Sequence, residues 1–323
     1  SSSGRLLLFG PPDMGAATGC QELCQEDGAS VDQLFQLHGG PVVAATCESV
    51  PADASLAQQY APDERLLELG FFEREAQECL AMAGGLDEGK IEERPLVTFS
   101  TGSTYSGQWK GCLRHGFGVM NWPEGTGYKG EWADGKANGK GIFTHTDGDT
   151  YVGEWHENVA SGLGIYIHRD GTMYYGQWAS DLQQGVGIES WTEGSEYRGS
   201  YAQGQKHGLG EYIWPDGSSY HGQWEANSIN GLGLYRGNGG RVFKGCWRDS
   251  VIHGLGQYVW ADGRLYEGEY AFDKKNGYGK FMWPDGRSYK GFWKDGTQHG
   301  FGVYVRRPGE PPIYSTWSDG KRK

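Results

Sequence analysis

Nine copies of one pattern, Tyr-x-Gly-x-Trp, stand 23 residues apart with no insertion or deletion between them. So strict a period confines the chain to one supersecondary unit stacked many times. The copies are Tyr105/Gly107/Trp109, Tyr128/Gly130/Trp132, Tyr151/Gly153/Trp155, Tyr174/Gly176/Trp178, Tyr197/Gly199/Tyr201, Tyr220/Gly222/Trp224, Phe243/Gly245/Trp247, Tyr266/Gly268/Tyr270 and Tyr289/Gly291/Trp293. A second signature, Gly-x-Gly, keeps the same step from Gly116/Gly118 to Gly300/Gly302. A third, a turn slot ending in glycine, runs from Pro123-Glu124-Gly125 to Pro284-Asp285-Gly286.

The spacing inside the pattern sets the local structure. In Tyr105-Ser106-Gly107-Gln108-Trp109 the rings and the glycine alternate with polar residues, so an extended chain puts Tyr, Gly and Trp on one face. A helix is excluded, because the spacing is 2 rather than 3.6 and glycine in every turn costs about 1 kcal/mol each relative to alanine. Phe117 to Trp122 forms a second extended run bounded by the Pro123-Glu124-Gly125 turn, so each repeat is two strands. The loop between them holds residue types that tolerate positive φ at Gly135, Asn158, Asp181, Gly204, Asn227, Asp273 and Gly296, with Cys112 and Ser250 breaking the pattern. Short connections make successive hairpins antiparallel neighbours. The expected fold is all-β: an elongated single-layer antiparallel meander of β-hairpins, on the order of 85 Å long at about 4.8 Å per strand. Large rings must then lie flat over neighbouring glycines, and the aromatic stripe serves as its own core inside a curved groove.

Composition divides the chain near Leu96. Residues 1–98 carry 17 acids against 5 bases, while 99–323 carry 24 of each. Within the array, 99–235 hold 15 acids against 8 bases and 236–323 hold 9 against 16. Nucleic-acid binding is excluded as a reading, since phosphate contacts need a concentrated basic stripe along the surface. No stretch reaches the roughly 18 to 20 apolar residues that span a bilayer. The six cysteines include no CxxC pair.

Tyr-x-Gly-x-Trp, then Gly-x-Gly, then Asp-Gly before the next Tyr, resembles the MORN repeat over residues 99–305, and Ile313 to Trp317 reads as a degraded capping copy. The resemblance implies antiparallel hairpins forming a twisted groove, and a non-catalytic scaffold role at membranes, cytoskeletal borders or ciliary axonemes. It further implies binding of partner helices, homodimerisation in some members, and lipid-head-group contact.

Three segments are expected: an acidic arm over 1–98 with an amphipathic helix at about 62–83, nine repeats over 99–305, and a cap with a basic tail over 306–323. The helix places Leu66, Leu69, Phe72, Ala76, Cys79/Leu80 and Ala83 on one face, which packs on the array or on another subunit. Gly125 to Gly130 matches GxGxxG only through overlap of two glycine slots, with no helix to follow. His115, His207, His253 and His299 alternate with Asn, Ser and Gln in their slot, which points to a turn hydrogen bond rather than a metal. No catalytic, metal or cofactor site is expected, and the chain reads as no enzyme.

The candidate partner groove consists of Trp191, Tyr212, Trp214, Trp224, Tyr235, Tyr258 and Trp260. The alternative, a tether to an anionic membrane, rests on Lys274, Lys275, Arg306 and Arg307. Expected partners are other protein subunits. The expected location is intracellular, cytoplasmic or cytoskeletal and axonemal, with organelles left open because the sequence starts at Ser1 without a methionine.

Overall fold

The computed structural model describes Cys79 and residues 89–323. The arm and most of the expected 62–83 helix lie outside the described residues. Cys79 itself is helical and buried.

The described chain forms two compact units that meet in sequence at Gln205/Lys206. The first contains β1 (Ile91–Thr98), β2 (Thr104–Lys110), β3 (Leu113–Asn121), β4 (Gly127–Ala133), β5 (Lys136–Thr144), β6 (Thr150–His156), β7 (Val159–Ile167), β8 (Met173–Ala179), β9 (Leu182–Ser190) and β10 (Glu196–Ala202). The second contains β11 (Gln205–Ile213), β12 (Ser219–Glu225), β13 (Ser228–Arg236), β14 (Val242–Arg248), β15 (Val251–Val259), β16 (Leu265–Ala271), β17 (Lys274–Met282), β18 (Ser288–Lys294), β19 (Thr297–Val305), β20 (Ile313–Ser318) and β21 (Lys321–Arg322). Within each unit every strand pairs antiparallel with its sequence neighbours, so the expected all-β hairpin meander is what the residues build. Three strands go beyond the nine repeats: β1 ahead of them, then β20 and β21 in the capping segment.

Glycine is required where the strands carry the rings. Gly107 faces Gly118 across β2 and β3. A Cβ on Gly118 would sit 2.2 Å from the Tyr105 hydroxyl and 2.5 Å from Cζ, so the ring occupies the space a side chain would need. The same ring lies over Gly164 from Tyr151 and over Gly233 from Tyr220. Each tyrosine hydroxyl donates to the carbonyl three residues on, as Tyr105 does to Gln108 at 3.0 Å and Tyr220 to Gln223 at 3.1 Å. Burial pushes the hydroxyl pKa of Tyr105, Tyr151 and Tyr220 well above the ordinary range, so the phenols stay neutral donors.

Tyrosine and tryptophan interlock edge to face. Tyr105 meets Trp109 of its own repeat at 5.1 Å and Trp132 of the next at 5.5 Å, and Tyr128 repeats this with Trp132 and Trp155. In the second unit Tyr220, Phe243, Tyr266 and Tyr289 continue the pattern, ending on Trp317 of β20. Trp317 thus takes the tryptophan slot of a tenth copy. Trp132, Trp155, Trp178, Trp224 and Trp293 also reach back, Trp132 Nε1 donating to the Gly118 carbonyl at 3.2 Å. These rings are the buried core of a sheet that has no opposing layer among the described residues.

Two local devices complete the repeat. Opposite Gln108, three residues of β3 bulge out between Arg114 and Gly118, and Gln108 Oε1 accepts the freed Phe117 N–H at 3.0 Å. Gln177, Gln223 and Glu269 do the same for Val186, Leu232 and Tyr278. From Asp134-Gly135 to Asp295-Gly296 the two-residue hairpin turns hold both central residues at positive φ, as in Glu157 (49°) and Asn158 (75°), which marks type I′, whereas in the Gly111-Cys112 turn only the glycine does. Ser250 adopts this conformation too, at 64°, so there the sequence exception is no structural one. The second turn residue also clamps the neighbouring hairpin: Asn158 Oδ1 accepts Ala137 N–H at 2.8 Å, and Asn227 does so from Lys206.

Candidate functional site

The sheet offers a face carrying the rings and a face opposite it. On the ring face the strand-one rings are buried, and what reaches the surface is the row at the turn edge. Trp191, in the first unit, is half-buried at the mouth of its turn, where its N–H donates to the Ser195 carbonyl. In the second unit Tyr212 touches Trp214 at 4.8 Å and Trp224 at 6.1 Å, and Trp214 touches Tyr235 at 5.8 Å. Tyr258 lies tilted against Trp260 at 4.5 Å, and Trp260 continues to Phe281. Gly237 takes the slot where the neighbouring repeats hold Trp214 and Trp260. Of the seven expected groove residues, Tyr212, Trp224 and Tyr258 are buried core, while Trp191, Trp214, Tyr235 and Trp260 are half-exposed.

The four basic candidates also divide. Lys274, Arg306 and Arg307 are exposed, with Arg307 loosely paired to Glu310. Lys275 turns inward: its Nζ lies 5.2 Å from the Trp260 and Trp293 ring centroids, 5.3 Å from Phe281 and 5.7 Å from Tyr266. Four rings around one ammonium make it a cation–π centre of the core rather than a surface charge.

The alternation predicts that the opposite face is polar, and it is not. The residue between the two glycines of Gly-x-Gly projects there, and it is Phe117, Leu163 and Val186 in the first unit and Leu209, Leu232, Leu255, Tyr278 and Phe301 in the second, all exposed. In repeats two to four a second row joins it. Ile142 pairs with Val152, Val152 with Ile165, Ile165 with Tyr175 and Tyr175 with Ile188 across β5 to β9. Phe117, Lys129, Lys140, Ile142, Val152 and Leu163 help line a shallow cavity of about 460 Å³ on this face. The signal was present in the sequence: the middle position of Gly-x-Gly is apolar in eight copies of nine.

Repeats two and three replace the turn-edge tryptophan with His145 and His168. Asp149 accepts from Tyr166 Oη at 2.8 Å, His168 Nδ1 at 3.1 Å and Arg169 N at 2.9 Å. Burial alone would raise its pKa; the Arg169 and Tyr166 hydrogen bonds and the nearby His168 more than offset it, and the carboxyl titrates below its ordinary value. A depressed carboxylate stabilises the fold fully above the ordinary value near 4 and loses that contribution as pH falls through the folded value. Asp149→Asn is therefore expected to flatten the acid limb of a melting-temperature profile between about pH 5 and 2, and an unchanged limb would show that the cluster contributes nothing there.

His115 Nδ1 accepts the Asp134 N–H and Gln184 Oε1 accepts the Gln203 N–H, the turn hydrogen bond expected of that slot. Among the described residues no three His, Cys, Asp or Glu side chains converge as metal ligands, and no helix is long and apolar enough to cross a membrane.

The family model for the MORN repeat matches nine consecutive segments, from 105–127 to 289–310. No curated protein matches the chain. Among solved structures, the TCP10 domain of Danio rerio CPAP is similar at 11% identity and a TM-score of 0.36, over 62% of this chain and 94% of that one. The SAS-4 TCP domain of Drosophila melanogaster, in complex with a proline-rich motif of Ana2, is similar at 16% identity and a TM-score of 0.26, over 61% and 86%.

Proposed function

The chain belongs to the MORN-repeat family, and from that premise we propose that it is a non-catalytic scaffold subunit of a larger protein assembly, cytoskeletal or ciliary in setting. The observation that carries this reading is the exposed apolar row at Gly-x-Gly. The rings already form a core, yet Leu163 and Val186 in the first unit, and Leu209 and Leu232 in the second, stay in solvent at half exposure or more, and exposed apolar rows of this kind mark an interaction site. Partner helices or extended segments would lie across the strands on the row of either unit, with the half-exposed Trp191 of the first unit, or Trp214, Tyr235 and Trp260 of the second, as a further contact on the ring face.

A second reading, a tether to anionic membrane, draws support from the exposed Tyr278, Phe292, Phe301 and Tyr314, with the Lys290 ammonium 5.9 Å from the Tyr278 ring, and from the exposed Arg306 and Arg307. Exposed aromatics beside basic residues suit a head-group layer.

One experiment separates the two. Leu163→Lys with Leu232→Lys changes exposed side chains, so stability should move by less than about 0.5 kcal/mol. Affinity capture from native cells should lose its specific partner by at least about tenfold, as expected when two interface anchors are removed. A folded variant that retains the partner overturns the row as the contact. Flotation of both proteins with anionic vesicles at low salt, abolished by Arg306→Ser and Arg307→Ser, would instead support the tether.

A further inference from the structure

The slot after the turn glycine changes character between the units. In the first it holds Thr126, Asp149, Thr172 and Ser195, and in the second Ser218 is followed by Arg241, Arg264 and Arg287. Arg241 folds over Gly237, where a Cβ would meet its Nε at 2.5 Å, and so covers the place of the missing tryptophan. The Arg264 guanidinium lies 5.6 Å from the Trp260 ring and that of Arg287 lies 5.3 Å from Trp283. Each pairs through Nε with a turn aspartate, Asp262 or Asp285, at 2.6 Å, and their side chains remain 36% and 44% exposed. One arginine per repeat sets the three about 10 Å apart, two strand spacings.

The turn edges carry opposite balances. In the first unit Glu124, Asp147, Asp149, Asp170 and Glu193 face a single Arg169, whereas in the second Asp216, Asp262, Asp285 and Glu310 are outnumbered by Arg241, Arg264, Arg287, Arg306 and Arg307. Over 236–323 the net charge is +7, from 16 bases and 9 acids. The chain contains its own counterpart: residues 6–61 carry seven acids, among them Glu22, Glu26, Asp32 and Glu48, and no lysine or arginine. Leu34, Phe35, Leu37, Val42 and Val43 lie among these acids and would suit half-exposed rings.

We propose that the arginine and tryptophan edge of the second unit, Arg241, Arg264 and Arg287 with Trp260 and Trp283, is the docking site of this chain's own acidic N-terminal arm, residues 6–61. Carboxylates of the arm meet the guanidinium nitrogens directed away from Asp262 and Asp285, and its apolar residues cover the ring edges. The proposal does not depend on the partner reading above.

The test uses the whole chain and a glutamate-specific protease, following cleavage at Glu22, Glu26 and Glu48. The variant Arg241→Ser/Arg264→Ser/Arg287→Ser places at each slot the residue found there at Ser195 and Ser218, and its melting curve verifies folding. The wild type should be cut about tenfold more slowly than the variant at low ionic strength, the size three solvated ion pairs supply. About 0.5 M salt should abolish the difference. Equal rates in the two proteins at low salt overturn the proposal, as does protection that grows with protein concentration, which would assign the arm to a second copy. Should the triple variant fail to fold, Arg287→Ser alone is compared with the wild type across the same salt titration; faster low-salt cleavage of the variant supports the docked arm, and equal rates overturn it.

Discussion

Gly164→Val is expected to lower the stability of the repeat array by about 3 kcal/mol or more in denaturant unfolding, the upper range for overpacking a close-packed site. The reason is local and visible. A Cβ at this position would lie 2.4 Å from the Tyr151 hydroxyl and 2.5 to 2.6 Å from its ring carbons. The ring cannot yield, because it is buried and wedged edge-on between Trp155 at 5.2 Å and Trp178 at 5.1 Å. The comparison is Gly194→Ala, where φ is +100° but nothing lies within 4 Å of the new carbon, so only backbone strain of about 1 kcal/mol is felt. If the two variants lost stability equally, the ring would not be what demands glycine at Gly164.

Tyr220→Ala should be nearly as damaging, at about 3 to 5 kcal/mol, the usual cost of emptying a large aromatic site. Tyr220 is fully buried, and its removal strips the edge contacts to Trp224 and Trp247, both at 5.6 Å. Tyr220→Phe should cost only about 1 kcal/mol, for the hydrogen bond to the Gln223 carbonyl. The next repeat already makes that change, since Phe243 fills the same slot with no hydroxyl and keeps its contacts to Trp247 and Tyr270. Melting of the two variants side by side measures the ring and the hydroxyl separately; a Phe variant as unstable as the Ala variant would refute the division.

The repeat was legible because its period and its chemistry coincide. The alternation in Tyr105-Ser106-Gly107-Gln108-Trp109 assigns the ring face, and the glycines opposite one another fix the register, since only that pairing leaves room for the tyrosine. What escaped was anything that depends on pairs of residues in different strands. Gln108 reads as a solvated polar residue, yet it holds the bulge at Phe117. Asn158 reads as a turn former, yet its side chain anchors Ala137 of the neighbouring hairpin, 21 residues away. Lys275 reads as surface charge, yet its ammonium sits among four rings contributed by different strands and turns. The groove residues divided for the same cause. Tyr212 and Tyr258 fall on strand two under the tryptophans, while Trp214 and Trp260 fall at the turn, and spacing alone does not say which of the two rows is covered.

The pairing of each strand with its sequence neighbours alone has a kinetic consequence. Within a unit the longest ties of a repeat reach one hairpin away, such as the Tyr105 ring on Trp132 of the next repeat. Such an array behaves as a zipper. Any hairpin can nucleate it, growth adds one interface at a time, and melting starts at an end strand rather than throughout the unit. Damage at one repeat therefore stays near that repeat in its effect on the others, so a unit can lose or gain a hairpin at an end while the remaining interfaces stay as they were.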